Sequence, residues 1–183
     1  SYTTVYLPTA ANNGMIFAKN SIVRIKGTVK GQYTVACNST LSTGSSKGTI
    51  YLDDDLVYNK DPKQNPNSTD LLGICAENNV IIADNKPNSS DINIQASIYC
   101  EKGGFSVQNY NSNSPIGGKK FRGNINLVGG IIQKTRGAVG TIGSGGSIAT
   151  GFAKRYKYDD RFLVASPPFF PGTGGFEIVS WFE

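Results

Sequence analysis

Apolar and polar residues alternate in several short stretches of the chain, and the pattern is clearest over residues 92–98. Ile92, Ile94, Ala96 and Ile98 alternate there with polar residues. Successive side chains of a β-strand point to opposite faces, so alternate residues share one face. The stretch therefore predicts a strand that buries its four apolar side chains on one side.

A pattern of strand, tight polar corner and strand occurs three times in the central region, at residues 73–82, 97–107 and 124–133. Aligning the apolar residue that follows each corner places Val80, Phe105 and Ile131 in one column, at spacings of 25 and 26 residues. An earlier copy at residues 15–25 matches the first of these, and residues 33–38 match its first arm. The sequence therefore predicts about five turns of a repeating unit.

Small and flexible residues are expected at the corners of this repeat. Small side chains align just before each corner, at Ala18, Ala36, Ala76 and Cys100. Asn and Gly tolerate the left-handed backbone that tight corners need. The corners are therefore assigned to Asn78, Asn79, Gly103, Gly104, Gly129 and Gly130.

A repeat of about 25 residues made of short strands favours one fold class. Each unit cannot bury its inner face alone, so neighbouring units must stack. We predict an all-β fold, a single-stranded parallel β-helix (β-solenoid) of about five coils with an aromatic and proline-rich carboxyl-terminal cap. The alternative is an antiparallel sandwich with short strands and regular turns.

The 183 residues are enough for one domain with a sizeable core. We expect residues 1–14 to form an amino-terminal cap or first coil, and residues 15–134 to form the stacked coils. Residues 135–183 are expected to supply a glycine-rich loop, over residues 137–151, and the aromatic cap. Two polar loops, at residues 38–48 and 59–70, are predicted insertions between coils.

Composition excludes several kinds of chemistry. The chain has no histidine and three cysteines, which rules out a Ser-His-Asp hydrolase and leaves almost nothing to bind zinc. We expect no cofactor and no metal. Asp53, Asp54 and Asp55 indicate either a calcium or catalytic cluster or a solvated corner, and consecutive strand residues cannot all point the same way. Cys75 and Cys100 are predicted to face opposite sides and not to form a disulfide, with Cys100 as a buried apolar filler.

Aromatic residues dominate the end of the chain. A partner or ligand surface is one interpretation, since exposed aromatic rings stack on sugars or dock apolar partners. The other is that these residues fold back and cover the last coil or the side of the solenoid. The residues concerned are Tyr156, Tyr158, Phe169, Phe170, Trp181 and Phe182.

Segments spread along the chain carry a resemblance to a known group of proteins. They are residues 70–80, 129–140, 156–161 and 167–171, followed by Ser180 and Trp181. In this order they resemble the carboxyl-terminal region of uncharacterised bacterial surface proteins associated with type IV pilus assembly and with minor-pilin-like genes. The resemblance implies an exported β-solenoid. Members usually carry an amino-terminal hydrophobic helix, whereas no transmembrane segment is expected in this chain.

These observations lead to a function hypothesis and two alternatives. We expect a non-enzymatic extracellular structural or adhesive protein, displayed at the cell surface or forming filaments in association with a pilus. The ends of a β-solenoid expose unpaired strand edges, so self-association into an oligomer or filament is expected. One alternative is a carbohydrate-binding or carbohydrate-active β-helix that recognises a surface polysaccharide. The other is a DNA-binding minor-pilin-like module that uses the basic loops, in keeping with a net charge of +5.

Overall fold

The computed structural model describes residues 6–40 and 46–172. Eleven strands join in one sheet, accompanied by a helical turn, α1 (Leu7–Ala10), and two 3-10 turns, Pro87–Ser89 and Asp160–Leu163. The strands are β1 (Met15–Ala18), β2 (Ile22–Val29), β3 (Gln32–Cys37), β4 (Thr49–Tyr58), β5 (Leu71–Ala76), β6 (Val80–Ile82), β7 (Ile92–Cys100), β8 (Phe105–Val107), β9 (Phe121–Gln133), β10 (Gly140–Ile142) and β11 (Ile148–Lys157).

Parallel pairing dominates this sheet. Of the ten strand pairings in the described part of the chain, only that between β10 and β11 is antiparallel. The prediction of an all-β fold with parallel strands is therefore confirmed. The alternative, an antiparallel sandwich, is wrong.

The parallel partners follow one another in three columns of strands. The first column contains β1, β3, β5 and the ends of β7 and β9. The second contains the starts of β2 and β4, then β6 and β8. The third contains the ends of β2 and β4, the starts of β7 and β9, and β11. Each of the long strands β2, β4, β7 and β9 therefore takes part in two columns.

The core lies on the face that the alternating apolar residues share. Ile92, Ile94, Ala96 and Ile98 are each at most 1% exposed, as the alternation in β7 predicts. In the first column, the inward residue recurs at one register position in every strand. That row is Ile16, Val35, Ile74, Ile98 and Ile131.

The predicted column of Val80, Phe105 and Ile131 is wrong at its last member. Val80 pairs with Phe105 in the second column, but Ile131 pairs with Ile98 in the first. The predicted corner at Gly129 and Gly130 is also wrong, because both glycines lie inside β9 and the chain continues straight into Ile131. The predicted row of small residues is also wrong at Ala36, by one residue.

The row of small residues runs through Cys37 instead of Ala36. Ala18 pairs with Cys37, Cys37 with Ala76, and Ala76 with Cys100. The corners at residues 78–79 and 103–104 lie between strands as predicted. Parallel pairing also extends beyond residue 134, since β11 continues the third column, and β10 lies within the predicted glycine-rich loop.

After β11 the chain crosses the outer face of the first column. The outward side chains there are small and in register, and we call them the outer row: Thr34, Gly73, Ser97 and Gly130. Residues 167–170 lie against this row, with the Phe170 ring and Pro167 beside Gly73. The Thr34 hydroxyl donates to the Pro168 carbonyl, and Thr34 is completely buried.

Arg161 anchors this returning segment. It donates from Nη1 to the carbonyls of Ser68 and Asp70, at 2.9 and 3.0 Å. Its guanidinium pairs with Asp159 at 2.7 Å and lies 5.0 Å from the centre of the Tyr58 ring. The segment is thus tied to the loop before β5 as well as to the outer row.

Candidate functional site

The aromatic residues predicted as a contact surface lie in separate places. Tyr156 is 42% exposed on β11, with its ring 6.4 Å edge-on from Phe105. Tyr158 is 49% exposed and its ring lies near Gly130. Burial of part of the ring raises the pKa of the Tyr156 hydroxyl to about 12, so it is neutral near pH 7.

The remaining members of that set lie elsewhere. Phe170 packs against Gly73 of β5, which lies two strands before β9, the last strand of the first column. Phe169 is 67% exposed. Trp181 and Phe182 lie outside the described residues. Phe170 therefore covers part of the outer row, and the four described rings do not form one continuous surface.

The three consecutive aspartates have separate partners. Asp53 forms a bidentate pair with Arg24, at 2.6 and 2.8 Å. Asp54 accepts from the backbone of Asp55, whose own carboxylate accepts from the backbone and side chain of Asn93. In residues 6–40 and 46–172, no group of three His, Cys, Asp or Glu side chains converges as a metal site would require. The side chains of Asp53 and Asp55 hold neighbouring strands together, whereas that of Asp54 makes a local turn contact.

The three thiols are unpaired and poorly reactive. Cys37 and Cys100 are buried, and Cys75 is partly exposed on the other face. Burial raises the pKa of the Cys75 thiol to about 12 and that of Cys37 and Cys100 to about 11. Thiolates are the reactive form, so these side chains are not organised as nucleophiles.

The amino-terminal end of the columns, formed by β1 and β2, exposes core residues. Ile16, Val23, Ile25 and Val29 face inward but are only partly buried, because no further described strand covers them. Three of them, Ile16, Ile25 and Val29, line a depression of about 770 Å³ together with Tyr33, Val35, Leu56 and Leu72. Tyr6 and Pro8 lie at its margin with Lys26 and Lys30. This end is apolar inside and basic at the rim.

The carboxyl-terminal end is formed by β10, β11 and residues 134–139, and the last inward positions of its first and third columns are polar or amphipathic. Lys154 follows Ile92 and Ile125 in the third column, and Tyr156 follows Ile94 and Leu127. In the first column, Gln133 follows Cys100, and its side chain accepts from the backbone of Phe105. Amphipathic side chains therefore close the columns at this end.

A hollow of about 560 Å³ remains at the carboxyl-terminal end. Val139, Ile142, Ile148 and Phe152 provide apolar lining, and Arg136 and Lys154 provide two cationic groups. Burial and the neighbouring Arg136 both lower the pKa of the Lys154 ammonium. Both cations belong to the lining of the same hollow.

Charge is distributed unevenly along the chain. Nine of the 18 Lys and Arg residues lie between residues 102 and 158, whereas none of the 13 Asp and Glu residues do. Lys102 pairs with Glu77 at 2.5 Å, and Arg122 is buried beside Asp84 at 3.3 Å. The other seven are exposed: Lys119, Lys120, Lys134, Arg136, Lys154, Arg155 and Lys157.

None of these seven cations forms an ion pair within the part of the chain that the structure describes. Five of them belong to β11 or to residues 134–136, and Lys120 lies next to the start of β11, where its carbonyl accepts from Gly151. These six cations therefore form a basic surface at the carboxyl-terminal end that includes both faces of β11. Counting acidic residues along the sequence would have revealed this surface.

The described residues include no helix with the length and apolarity needed to span a membrane. Comparison of the chain with protein-family models, with curated proteins and with solved structures finds no match.

Proposed function

We propose that this protein is a non-enzymatic structural module of the bacterial cell surface that associates with copies of itself through its amino-terminal end. The observation that carries the proposal is the contrast between the two ends. Inward positions end in apolar, partly exposed side chains at one end and in Lys154, Tyr156 and Gln133 at the other.

The proposal includes a β-solenoid as the architecture. Three columns of parallel strands, the longest with five members, support a chain that coils about one core with about five turns. Side-chain ladders between successive strands add support. Asn126 donates to Asn93, which donates to Asp55, at 3.2 and 3.0 Å. Ladders of this kind hold stacked coils in register on their outer face.

The amino-terminal end has the properties of a surface that another chain covers. Large exposed apolar patches on folded proteins mark interaction sites. β2 pairs only with β4 among the described strands, so within residues 6–40 and 46–172 no strand occupies its other edge. An unpaired edge of this kind can accept a further strand.

We take a second copy of the protein as the partner, because it carries the same apolar depression and the same unpaired edge of β2. In a twofold dimer the same patch faces itself, and β2 would pair antiparallel with its own copy. A head-to-tail filament is less well supported, because it would place Arg136 and Lys154 of one copy against the apolar depression of the next. The rim of that depression is itself basic, with Lys26 and Lys30.

Charge at the rim gives the association a distinctive salt dependence. Lys26 and Lys30 are exposed beside the depression and would approach their copies in a twofold dimer. Salt screens such repulsion between exposed charges. Self-association should therefore strengthen as the salt concentration rises.

The contacts that several carboxylates make support a structural rather than an enzymatic role. Asp53, Asp55, Asp84 and Asp91 all hold neighbouring segments together through ion pairs or hydrogen bonds. Placement at the cell surface near a pilus-like assembly rests on the resemblance described above. That resemblance implies that the protein is exported.

Sedimentation velocity across a wide concentration range tests the proposal. We expect the wild-type protein to form dimers and Ile25→Glu to remain monomeric, because a carboxylate at the depression opposes burial. Ile142→Glu is the matched control, since Ile142 is 72% exposed at the other end and should leave the dimer intact.

Thermal unfolding of each variant separates lost association from lost folding. A wild-type protein that stays monomeric at high concentration and high salt would refute the proposal. Equal weakening by Ile25→Glu and Ile142→Glu would refute the choice of end.

A further inference from the structure

The exposed basic surface at the carboxyl-terminal end belongs to the longest stretch of the sequence without an acidic residue, residues 102–158. Residues 102–158 carry nine positive and no negative side chains, whereas the rest of the chain carries nine positive and 13 negative ones. The net charge of +5 is therefore the difference between +9 in that segment and −4 in the rest. Positive charge without neighbouring negative charge attracts polyanions, and this segment carries nine of the 18 positive side chains.

Apolar and aromatic groups lie within the same surface. The hollow beside Arg136 and Lys154 is lined by Ile142, Ile148 and Phe152. Tyr156 is neighbour to Lys154 on the same face of β11 and exposes part of its ring. Cationic groups, an apolar hollow and an exposed ring therefore occur together.

We infer that this end binds single-stranded nucleic acid. Proteins that bind single strands combine a basic surface along the backbone with aromatic or apolar surfaces that take the bases. Here Arg136 and Lys154 contact phosphates, while a base occupies the hollow or stacks on Tyr156. Arg155 and Lys157, on the opposite face of β11, extend the positive field. The hollow and the ring distinguish this surface from one that offers charge alone.

The inference does not depend on self-association. The depression proposed for the dimer is at the amino-terminal end, lined by β2 and β3 residues, and shares no lining residue with the hollow. A single strand can therefore bind whether the protein is a monomer or a dimer. Failure of one proposal leaves the other open to its own test.

Fluorescence anisotropy with a labelled oligothymidylate of about 20 nucleotides tests the inference. The double variant Arg136→Gln/Lys154→Gln should weaken binding about ten-fold at about 0.15 M salt. It should also reduce the slope of log affinity against log salt by about 1.4, because each lost phosphate contact contributes about 0.7. Lys26→Gln/Lys30→Gln is the matched control, with the same charge change at the other end, and should change affinity less than two-fold.

The aromatic contribution is measured with Tyr156→Leu, which keeps the charge and an apolar side chain. We expect at least about a five-fold loss of affinity with an unchanged salt slope, since stacking on aromatic rings is largely independent of phosphate contacts. A readout on the wild-type protein covers the case in which a variant does not fold. Acetylation of Lys154, followed by mass spectrometry, should slow when the oligonucleotide is added, whereas acetylation of Lys26 should not.

Several results would overturn the inference. They are an absence of binding at about 0.05 M salt, equal weakening by the two double variants, and a duplex of the same length bound as tightly as the single strand. Competition by hyaluronate as strong as that by oligothymidylate, compared per charge, would show a general polyanion surface and would also overturn it.

Discussion

Ile94 lies at the centre of the buried row on β7 and has no exposed surface. A carboxylate there would be desolvated without a cationic partner, so Ile94→Asp should destabilise the fold by about 4 kcal/mol or more. Ile132→Asp is the control, since Ile132 is 44% exposed on the outer face and should cost less than about 1 kcal/mol. Urea unfolding measures both. Similar stabilities for the two variants would contradict the inward direction of Ile94.

Acid should destabilise the protein through hydrogen-bonded carboxylates. The backbone and then the side chain of Asn124 donate to Asp91 and lower the pKa of its carboxyl group. Lys102 and then the Ser39 backbone lower the pKa of Glu77 in the same way. A carboxyl group whose pKa is lower in the folded state stabilises the fold above its unfolded-state pKa of about 4, and the stabilisation is lost as pH falls toward the folded-state value.

The melting temperature should therefore be nearly constant between about pH 5 and 7 and fall below about pH 4. Asp91→Asn should lower it at neutral pH and reduce its fall in acid. Asp160→Asn, at an exposed carboxylate, controls for the loss of one charge. An equal acid-induced fall in wild-type and Asp91→Asn proteins would show that Asp91 has no part in it.

At the level of single residues, the sequence predicted which side chains are buried better than it predicted which side chains form hydrogen bonds with each other. The alternation of β7 identified its inward residues correctly, because burial follows a local period of two. The roles of Asp55 and Arg161 could not be predicted in this way. Their partners Asn93 and Ser68 become neighbours only when the strands are in register.

The returning segment can be tested through the outer row. A Cβ at Gly73 would lie 2.6 Å from Phe170 Cδ2 and 2.8 Å from Thr34 Oγ1, so Gly73→Val should displace residues 167–170. Chymotrypsin should then cleave after Phe169 roughly ten-fold faster than in the wild type, because local opening frees the backbone around it for the protease. Gly145→Val is the control, since a Cβ there meets no atom within 4 Å. Unchanged cleavage of Gly73→Val would contradict the covering role.

At the level of elements, the sequence predicted β5, β6, β7 and β8 together with their corners. It misplaced the corner in β9, because two consecutive glycines usually indicate a turn. The structure uses Gly129 for a close approach instead: a Cβ there would lie within 1.8 Å of the Ala96 carbonyl oxygen. A glycine needed for packing and a glycine needed for a turn look the same in one sequence.

At the level of the whole molecule, the two ends differ in a way that one sequence conceals. Which residues finish a column depends on the register of every strand before them, so the apolar end at Ile25 and the polar end at Lys154 appear only in the folded chain. The basic surface near Lys154 is an intermediate case. Its charge imbalance is present in the sequence, but the hollow beside it is not.

Hydrogen exchange measured by mass spectrometry at low and high protein concentration tests the central claim, that the amino-terminal end is the self-association surface, most directly. Backbone amides of an edge strand exchange readily until another strand pairs with them. We predict that peptides covering β2 (Ile22–Val29) gain protection as concentration rises, while peptides covering β11 (Ile148–Lys157) do not. Protection gained at β11 alone, or at neither strand, would contradict the account.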